Sequence, residues 1–422
     1  MRNLAQKLLS SPLHLRSPCS SAVHHHIKTI MWIGGTPTFT LKTGGFRVSQ
    51  PLPFPLGENH ILFYSARYAL SYGLSCLGLK PGDKLLAPAY CCGTEVDPIL
   101  NKRIEIEWYD VDENLCINIR HLKEQWQRGI KVLLVIHYLG FDQVTSEVVD
   151  FCEKKKILLI EDCAHAFLSL NEQGEPLGSE GDAAFFSLRK TLPLPDGGAL
   201  FLKNNDLSSF HPTLEKPNPF AIFFRSVEML GWNSMPSSSN KLHPLWFLSR
   251  YFGKALSSSR IFFRIFHRLF GGCSDCLVHP NSYDFSPRVA NWDMSLLSKR
   301  LLQFQDWKDI FESRRRNFAC LLEKIEGIGG IRPLFSSLPD GVCPLFFPIF
   351  VKNREKVHNL LLKHGIDSHP WWGYFHPQVP WGNFPQAVRL KKEILGLPIH
   401  QDLDQKHMSK IARTLDLVVR DH

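Results

Sequence analysis

An alternation of short apolar runs and amphipathic stretches between residues 66 and 202 is the feature that most constrains this fold. Residues 66–79 carry apolar side chains at helical spacing, and residues 144–156 form a second helix-like stretch. Short apolar runs lie at Lys84–Ala87, Ile104–Tyr109, Val132–His137, Ile157–Ile160, Ala183–Ser187 and Ala199–Leu202. Buried strands that alternate with helices predict an α/β domain with a mostly parallel sheet. In such sheets, ligands bind beyond the carboxyl ends of the strands.

The composition sets the class of protein without identifying a partner. The chain has 422 residues, of which 44% are hydrophobic and 21% charged, so it can bury a large core as two or three domains. Its net charge of +9 favours anionic ligands, but no nucleic-acid-binding motif accompanies that charge. The 11 cysteines are scattered, and one C-x-x-C at Cys273 and Cys276 is weak evidence for zinc. We therefore predict no metal site, and free thiols in a reducing cytoplasm.

The first 57 residues differ from the rest of the chain because they contain no acidic residue. They predict a leader and N-terminal arm that is partly disordered; a transit peptide, a disordered leader and a natural start at Met31 all fit this composition. We expect a large domain at 58–290 and a small C-terminal α/β domain at 291–422. No apolar stretch is long enough to predict a transmembrane helix.

Residues 205–285 interrupt the alternation of strands and helices. They are rich in Ser, Pro, Phe and Arg, and no acidic residue occurs from Met229 to Ser274. Within them, Arg260–Phe270 spaces its basic residues almost as a helix would, with Phe and Ile between them. This insertion either packs an aromatic helix face on the body of the protein or makes a weak interfacial contact with an anionic membrane through 241–271.

After residue 290 the helical and strand patterns return. The predicted elements are helices at Ser295–Leu302, Trp307–Ile325, Arg354–His364 and Asp404–Leu417, and a strand at Pro344–Val351. These elements make up the predicted small domain.

Asp162 stands at the carboxyl end of a fully apolar strand, in a segment that reads L-L-I-E-D-C-A-H from Leu158 to His165. An unpaired charge is costly at a buried strand end, so a carboxylate there needs a cationic partner. A protonated pyridine nitrogen is such a partner, and the carboxylate would keep that ring able to withdraw electrons. A helix-capping aspartate explains this residue equally well when it is taken alone.

Lys190 follows the apolar strand at 183–187 and precedes a loop rich in proline and glycine. A lysine amine forms an imine only when it is deprotonated, and burial or a neighbouring cation such as Arg189 favours deprotonation. Ser187, three residues earlier, offers a hydroxyl to a phosphate oxygen. Taken alone, Lys190 is also explained as a solvated loop lysine.

The segment Tyr64-Ser65-Ala66-Arg67 lies at the start of the first predicted helix. Amide groups at a helix N-terminus bind phosphate, and Arg67 adds positive charge. Ser65 is equally explained as an ordinary N-cap. Together, the three segments supply a phosphate cradle, a pyridinium partner and an imine-forming lysine.

In their order along the chain, these segments resemble the DegT/DnrJ/EryC1/StrS family, the sugar aminotransferases of pyridoxal-phosphate (PLP) fold type I. The resemblance runs from residue 58 to 418 with a gap in the middle. It rests on Leu79–Asp83 with Ala87-Pro88, Trp108–Asp112, Val135–Gly140, Ile160–His165, Gly181-Asp182, the block from Ser187 through Lys190 to Gly198, and Leu397-Pro398. The E-D-C-A-H block and the lysine-to-glycine spacing are its most specific parts.

The resemblance implies an α/β architecture, a large mostly parallel sheet domain plus a small C-terminal α/β domain, and a homodimer with sites at the subunit interface. It implies that Lys190 binds PLP as the Schiff-base lysine and moves the catalytic proton. Asp162 would pair with the pyridine nitrogen, and His165 would lie beside the ring. The residues that would hold the phosphate are Ser65, Ala66, Arg67 and Ser187.

Several positions depart from the family pattern. Ser65-Ala66-Arg67 stands where the family has Ser-Gly-Thr, and the spacing from Ser187 to Lys190 is two residues shorter than usual. The aromatic residue that stacks on the ring in the family falls on Cys92, for which Tyr90 is a substitute. The segment His369–Trp372 would approach the substrate, as a ligand surface or as core.

The function that follows is PLP-dependent transfer of an amino group, usually from glutamate, to a keto sugar that is linked to a nucleotide. Its expected setting is the cytoplasmic synthesis of cell-surface polysaccharides or secondary metabolites, with small-molecule partners and no nucleic acid. The alternative is a non-catalytic homologue of this fold that acts as a scaffold or associates with a membrane.

Overall fold

A seven-stranded sheet organises the first part of the molecule. The computed structural model describes residues 31–38, 52–53, 60–203, 213–233 and 285–420. The strands are β1 (His60–Phe63), β2 (Lys84–Pro88), β3 (Glu105–Tyr109), β4 (Ile130–Ile136), β5 (Leu158–Asp162), β6 (Ala183–Phe186) and β7 (Gly198–Leu202). They lie in the order β1-β7-β6-β5-β4-β2-β3. The run from β3 to β6 is parallel, while β7 is antiparallel to both of its neighbours.

Among the described residues, six helices belong to the same part of the chain: α1 (Ala66–Cys76), α2 (Val96–Asn101), α3 (Ile119–Gln125), α4 (Ser146–Lys155), α5 (Leu188–Thr191) and α6 (Pro219–Asn233). Helix α1 packs on β6 and β7 through its small and apolar face, which includes Ala69, Gly73 and Leu74. The predicted α/β class with a mostly parallel sheet is confirmed, and the predicted strands agree with the observed ones to within two residues at either end.

The second sheet is antiparallel and belongs to the C-terminal part of the chain. Its strands are β8 (Ile331–Pro333), β9 (Phe347–Val351), β10 (His369–Pro370) and β11 (Ile394–Leu397), in the order β10-β11-β9-β8. The α-helices described between 285 and 420 are α7 (Leu296–Leu302), α8 (Trp307–Lys324), α9 (Arg354–Lys363), α10 (Pro385–Glu393) and α11 (Gln405–Arg420). Helix α11 packs on α8 and α9.

The described N-terminal residues are attached to the C-terminal part of the chain. The Ile33 N–H donates to the Gly365 carbonyl (2.8 Å), and the Asp367 N–H donates to the Ile33 carbonyl (2.9 Å). The remainder of the predicted leader, Cys273 with Cys276, and the basic segment at 241–271 lie outside the described residues. Within the insertion, 213–233 is described, and it contains α6, which the sequence did not predict. Among all described residues, no helix is long and apolar enough to span a membrane.

Candidate functional site

Neighbouring strands bring the predicted cofactor residues to one edge of the large sheet. Strand β5 ends at Asp162, which pairs with Phe185 of the parallel strand β6. Beyond that pair, the Cys163 N–H donates to the Phe185 carbonyl (2.9 Å). The chain after β6 then turns at Ser187 into the short helix α5, which carries Lys190. The two carboxyl ends therefore place Asp162 and Lys190 at the edge where parallel sheets bind ligands.

Lys190 and His165 are in direct contact. The Lys190 Nζ lies 2.8 Å from the His165 Nε2. Burial lowers the pKa of Lys190 below its usual value, and the positive charge of Arg189 acts in the same direction. Burial and the charge of Lys190 also lower the pKa of His165 well below its usual value. A neutral imidazole that accepts a hydrogen bond from the lysine fits both shifts.

His165 keeps one polar atom without a partner. Its Nδ1 is buried and makes no hydrogen bond within the described part of the chain. The ring is enclosed by two tryptophans, with centroid distances of 5.0 Å to Trp371 and 5.3 Å to Trp372. Buried polar atoms are nearly always hydrogen-bonded, so this unpartnered nitrogen beside Lys190 is a candidate contact for a ligand.

Asp162 is buried and receives a hydrogen bond from the Ala164 N–H to its Oδ1 (2.8 Å). Burial and then the negative charge of Glu95 raise the pKa of Asp162 to about 7, while the Lys190 charge opposes that rise. A carboxyl group in this state gains from any cationic group placed against it. The capping explanation of Asp162 is not supported, because no helix begins in the described residues that directly follow it.

The candidate phosphate residues meet where β7 passes the start of α1. A Cβ on Gly198 would lie 2.3 Å from both the Ala66 nitrogen and the Ser65 carbonyl carbon, so only glycine fits there. Gly197 has a φ of +142°; its N–H donates to the Tyr64 carbonyl, and its carbonyl accepts from the Leu188 N–H. The glycine pair thus joins the residues before Ala66 to those after Ser187.

The two serine hydroxyls of this cradle are not used for helix capping. Ser65 precedes α1 and Ser187 precedes α5, yet neither side chain caps its helix. The first turn of α1 contains no acidic residue, and it includes Arg67. The structure therefore places Ser65, Ala66 and Arg67 at the start of α1 and Ser187 before α5, connected through Gly197 and Gly198, and helix N-terminal amides favour an anion.

Cys92 lies near Lys190, but its thiol is engaged elsewhere. The Cys92 Sγ is 2.8 Å from the Thr94 Oγ1 and 2.9 Å from the Glu95 Oε2. Burial and the Glu95 charge raise the pKa of the Cys92 thiol to about 12. Tyr90 is fully buried against Tyr138 and Trp372, at 5.5 and 5.0 Å between ring centroids. Tyr90 therefore belongs to a group of aromatic side chains beside the site, which also includes Trp371 and Trp372 and which we call the aromatic wall.

The tryptophan pair from the C-terminal part of the chain forms that wall. Trp371 and Trp372 are buried, whereas His369 is exposed. Two buried cations hydrogen-bond to the main chain of the aromatic wall. Arg354 donates to the Trp371 carbonyl (3.1 Å), and the Lys391 Nζ donates to the Trp372 carbonyl (3.2 Å). The core interpretation thus describes Trp371 and Trp372. His369 keeps exposed surface, but its ring packs against Phe346 and Trp371 at 5.5 and 5.4 Å between centroids, and burial of the ring lowers its pKa to about 4.

Sequence reasoning missed several charged residues near the site. Glu95 is buried and accepts from the Cys92 N–H (3.0 Å). The Arg225 guanidinium lies 4.2 Å from the centre of the Tyr64 ring, and its Nη1 donates to the Pro195 carbonyl (3.3 Å). Glu95 does not follow an apolar run, and the apolar run before Arg225 lies in helix α6 rather than in a strand, so the strand-end rule that found Asp162 and Lys190 could not find them.

A second group of donor atoms lies on either side of Asp162 in the sequence. Ligand atoms of His137, Glu161 and Cys163 lie within 4.8 Å of one another. However, the His137 Nε2 is hydrogen-bonded to the Glu161 Oε2 (2.8 Å), and the same carboxylate accepts from the N–H groups of Gly178 and Gly181. These contacts account for the group as a buried polar network that supports the end of β5.

The chain is similar to known aminotransferases. Residues 56–217 match the model of the DegT/DnrJ/EryC1/StrS aminotransferase family. The chain is similar to the GDP-perosamine synthase of Vibrio cholerae, at 26% identity over 33% of this chain and 38% of that protein. It is also similar to the dTDP-4-dehydro-2,3,6-trideoxy-D-glucose 4-aminotransferase of Saccharopolyspora spinosa, at 23% identity over 86% of each chain.

The fold agrees with solved structures over most of its length. A sugar aminotransferase of Micromonospora echinospora superposes with a TM-score of 0.57 at 18% identity, covering 85% of this chain and 87% of that one. The alignments to three curated relatives are shorter and span 28% to 47% of those proteins. The resemblance inferred from the sequence is confirmed over residues 56–217, which match the model of the DegT/DnrJ/EryC1/StrS aminotransferase family.

Proposed function

We propose that this protein is a PLP-dependent aminotransferase that transfers an amino group from glutamate to a keto sugar, specifically one linked to a nucleotide. The observation that carries the proposal is the meeting of Asp162, His165 and Lys190 at one sheet edge, with Lys190 Nζ 2.8 Å from His165 Nε2. The family match and the sugar aminotransferases among the relatives support a catalytic role over a scaffold. The expected setting is the synthesis of polysaccharides or secondary metabolites.

The residues of the site fit PLP. Asp162 offers a buried carboxyl to a protonated pyridine nitrogen, and Lys190 offers an amine whose pKa is lowered by burial. The Nδ1 of His165 has no partner within the described residues, and the hydroxyls of Ser65 and Ser187 do not cap their helices, so these groups are candidate contacts for the cofactor. The Ala66 and Arg67 amides at the start of α1 complete the phosphate cradle. Cys92 would contact the ring less extensively than an aromatic residue.

Each side chain then has a definite task. When bound, PLP supplies a ring that withdraws electrons from the substrate carbon. Asp162 holds a proton on the ring nitrogen by placing its negative charge there. Lys190 Nζ, kept partly neutral by burial, takes a proton from the substrate carbon and returns it. Trp371 and Trp372 exclude water from the imidazole of His165, which keeps that ring neutral.

The proposal also covers the assembly and its setting. We expect a cytoplasmic homodimer in which the two sites lie at the subunit interface. The predicted membrane contact through 241–271 remains a prediction, since that segment lies outside the described residues. Size-exclusion chromatography with light scattering measures the dimer directly, and a monomer that retains full turnover would contradict the interface site.

Borohydride trapping tests the cofactor and the lysine together. PLP is added to the purified protein, the absorbance spectrum is recorded, borohydride is added and the modified peptide is mapped. We expect the label on Lys190. We also expect Lys190→Ala to remove the cofactor absorbance and to lower transamination by a factor on the order of 10³ or more. Lys203→Ala is the matched control, because Lys203 follows the next strand and donates to the exposed Glu180 carbonyl.

The amino donor is tested by single-turnover spectra of the loaded protein. Glutamate should change the absorbance within seconds to minutes, whereas a matched amino acid such as valine should not. Turnover that persists in Lys190→Ala would refute the assignment of Lys190. A folded protein with no absorbance and no trapped peptide would favour the non-catalytic scaffold.

A further inference from the structure

The turn that carries Lys190 is completed by side chains from the C-terminal part of the chain. The carbonyl of Thr191, the residue after Lys190, accepts two hydrogen bonds: from the Arg314 Nη2 (3.1 Å) and from the Gln401 Nε2 (3.1 Å). Arg314 lies on α8, and Gln401 lies before α11. The last carbonyls of a helix have no partner inside it, and here two residues far along the chain supply partners at the end of α5.

Arg314 and Gln401 also fix each other. The Arg314 Nε donates to the Gln401 Oε1 (3.0 Å), which orients the amide so that its Nε2 faces Thr191. The Arg314 Nη1 donates to the carbonyls of Pro344 (3.3 Å) and Leu345 (3.0 Å). One guanidinium thus links α8, the segment before β9 and the short helix α5 that carries Lys190.

The free energy needed to bury the Arg314 guanidinium distinguishes this arrangement from ordinary packing. Arg314 is 1% exposed, and its hydrogen bonds within the part of the chain that the structure describes all go to uncharged oxygens, although the negative charge of Asp402 offsets part of the cost of burial. Burying a cation among neutral oxygens is expensive unless its N–H groups are satisfied. An apolar residue would fill the same space at less cost, so the guanidinium is retained for the groups it holds.

The neighbouring residue on α8 shows what a structural arginine does here. Arg315 donates to the carbonyls of Pro339 and Val342 and reaches Asp340, all within one loop before β9. These contacts hold that loop rather than the lysine turn. Arg315 therefore offers a matched control of the same residue type on the same helix.

We propose that Arg314 and Gln401 are positioning residues for Lys190: by holding the Thr191 carbonyl, they keep the Lys190 amine against His165 inside the site. The catalytic consequence rests on the proposed function, but the placement of the amine does not. A lysine side chain is long and flexible, so its backbone must be fixed if Nζ is to reach one imidazole nitrogen. Displacements near 1 Å at a reacting group cost up to about 10²-fold in rate.

The experiment measures the Lys190 amine in the protein without added cofactor. Acetic anhydride is applied at a series of pH values, and the acetylation of Lys190 is followed by mass spectrometry, with Lys203 as the internal reference. The variants are Gln401→Leu, which removes both hydrogen bonds at similar volume, Arg314→Lys, and the control Arg315→Lys. The same proteins are then loaded with PLP for trapping and for a titration of the absorbance against pH.

We expect Gln401→Leu and Arg314→Lys to raise the acetylation midpoint of Lys190 by about one pH unit, because the amine gains access to water. Retention of PLP should fall roughly tenfold, which corresponds to about 1.4 kcal/mol. Arg315→Lys should leave both quantities at wild-type values. If Arg314→Lys does not fold, Gln401→Leu carries the test alone.

Two failures are distinguishable. Wild-type midpoints and PLP retention in folded Gln401→Leu and Arg314→Lys would overturn the positioning role. Absence of PLP trapping in the wild type would overturn the proposed function, while the acetylation midpoints would still decide the role of Arg314 and Gln401. A shift of equal size in Arg315→Lys would also overturn the proposal, because it would reduce the effect to a general loosening of the C-terminal part of the protein.

Discussion

Two lysines whose amines are withdrawn from water differ in how completely they are hydrogen-bonded. Lys391 lies on α10, and its Nζ donates to the carbonyls of Cys91 (2.7 Å), Trp372 (3.2 Å) and Tyr374 (2.7 Å). We call this contact between α10 and the segment after β2 the seam. Among the described residues, the hydrogen-bond partner of Lys190 is the His165 Nε2. Burial lowers the pKa of both lysines. Lys391 has an acceptor for each of its three N–H donors, whereas Lys190 has N–H donors left for a ligand.

The same contrast extends to the residues around each lysine. At the seam, Arg354 and Lys391 use main-chain carbonyls of the wall as acceptors. At the sheet edge, the Nδ1 of His165 has no partner within the described residues, and Asp162 is left with a raised pKa. Fully satisfied polar groups specify a structure, whereas under-satisfied ones are retained for a ligand. The comparison thus separates a structural charge from a functional one without reference to the reaction.

Replacing each lysine by methionine should produce the largest difference in stability between the two positions. Lys391→Met leaves three carbonyls without a donor, so we expect the free energy of unfolding to fall by about 3 to 5 kcal/mol. Lys190→Met removes an amine with a single hydrogen bond, so the cofactor-free protein should change by less than about 1 kcal/mol or become more stable. Urea denaturation of both variants without PLP makes the measurement.

Equal destabilisation by the two substitutions would contradict the distinction between the two lysines. Lys392→Met is the matched control, because Lys392 is adjacent on α10 and is exposed. It should change the free energy of unfolding by about 0.5 kcal/mol or less.

The fold was largely predictable because its strands are buried on both faces. Strands β2, β4, β5 and β6 each contain a short continuous apolar run, and a parallel sheet covered by helices requires that pattern. The C-terminal sheet was predicted less well. Strand β10 has two residues and β11 contains Gly396, so neither presents an apolar run of recognisable length.

The candidate site was predictable only where its residues follow strands. Asp162 and Lys190 stand at or just beyond the ends of β5 and β6, so the rule for sheet edges locates them. Arg314 and Gln401 reach Thr191 from more than a hundred residues away, and their positions depend on how the C-terminal part of the chain packs. Spacing along a chain carries no information about such contacts, and both residues look like ordinary polar helix and loop positions in the sequence.

Removal of the titratable Asp162 carboxyl should change how the free energy of unfolding depends on pH. The folded-state pKa of Asp162, about 7, is above its ordinary value of 3.8, so the folded protein binds this proton more tightly than the unfolded chain does. The associated stabilisation is complete below about pH 4 and is lost as the pH rises to 7. Asp162→Asn keeps an oxygen for the Ala164 N–H and removes the titration.

We therefore expect the stability of Asp162→Asn, relative to wild type, to rise between pH 4 and 7 by up to about 1.4 kcal/mol per pH unit. Thermal unfolding of the cofactor-free proteins across this range makes the measurement. A constant difference across the range would show that Asp162 titrates normally and that no cation is needed at the strand end. Added PLP should bind Asp162→Asn more weakly than it binds the wild type.

A methyl group at Gly198 tests how tightly β7 packs on the start of α1, where we propose that phosphate binds. The added Cβ would lie 2.3 Å from the Ala66 nitrogen, so the start of α1 must move. We expect Gly198→Ala to lower the free energy of unfolding by about 1 to 3 kcal/mol and to weaken PLP binding. Gly329→Ala is the control, since a Cβ added there would meet no described atom within 4 Å and its φ is not in the positive region. Equal stability of the two variants would mean that β7 and α1 have room to separate.

The smallest expected effect concerns Glu95, the second acid of the pocket. Its negative charge is the largest contribution after burial to the raised pKa of Asp162. Glu95→Gln keeps an oxygen for the Cys92 N–H and removes that charge, so the pKa of Asp162 should fall while remaining above 3.8. The stability difference between Asp162→Asn and the wild type should therefore stop growing at a lower pH when both are made in the Glu95→Gln background. If that pH does not move, burial alone sets the protonation of Asp162, and the contrast between the pocket and the seam reduces to solvation rather than to charge.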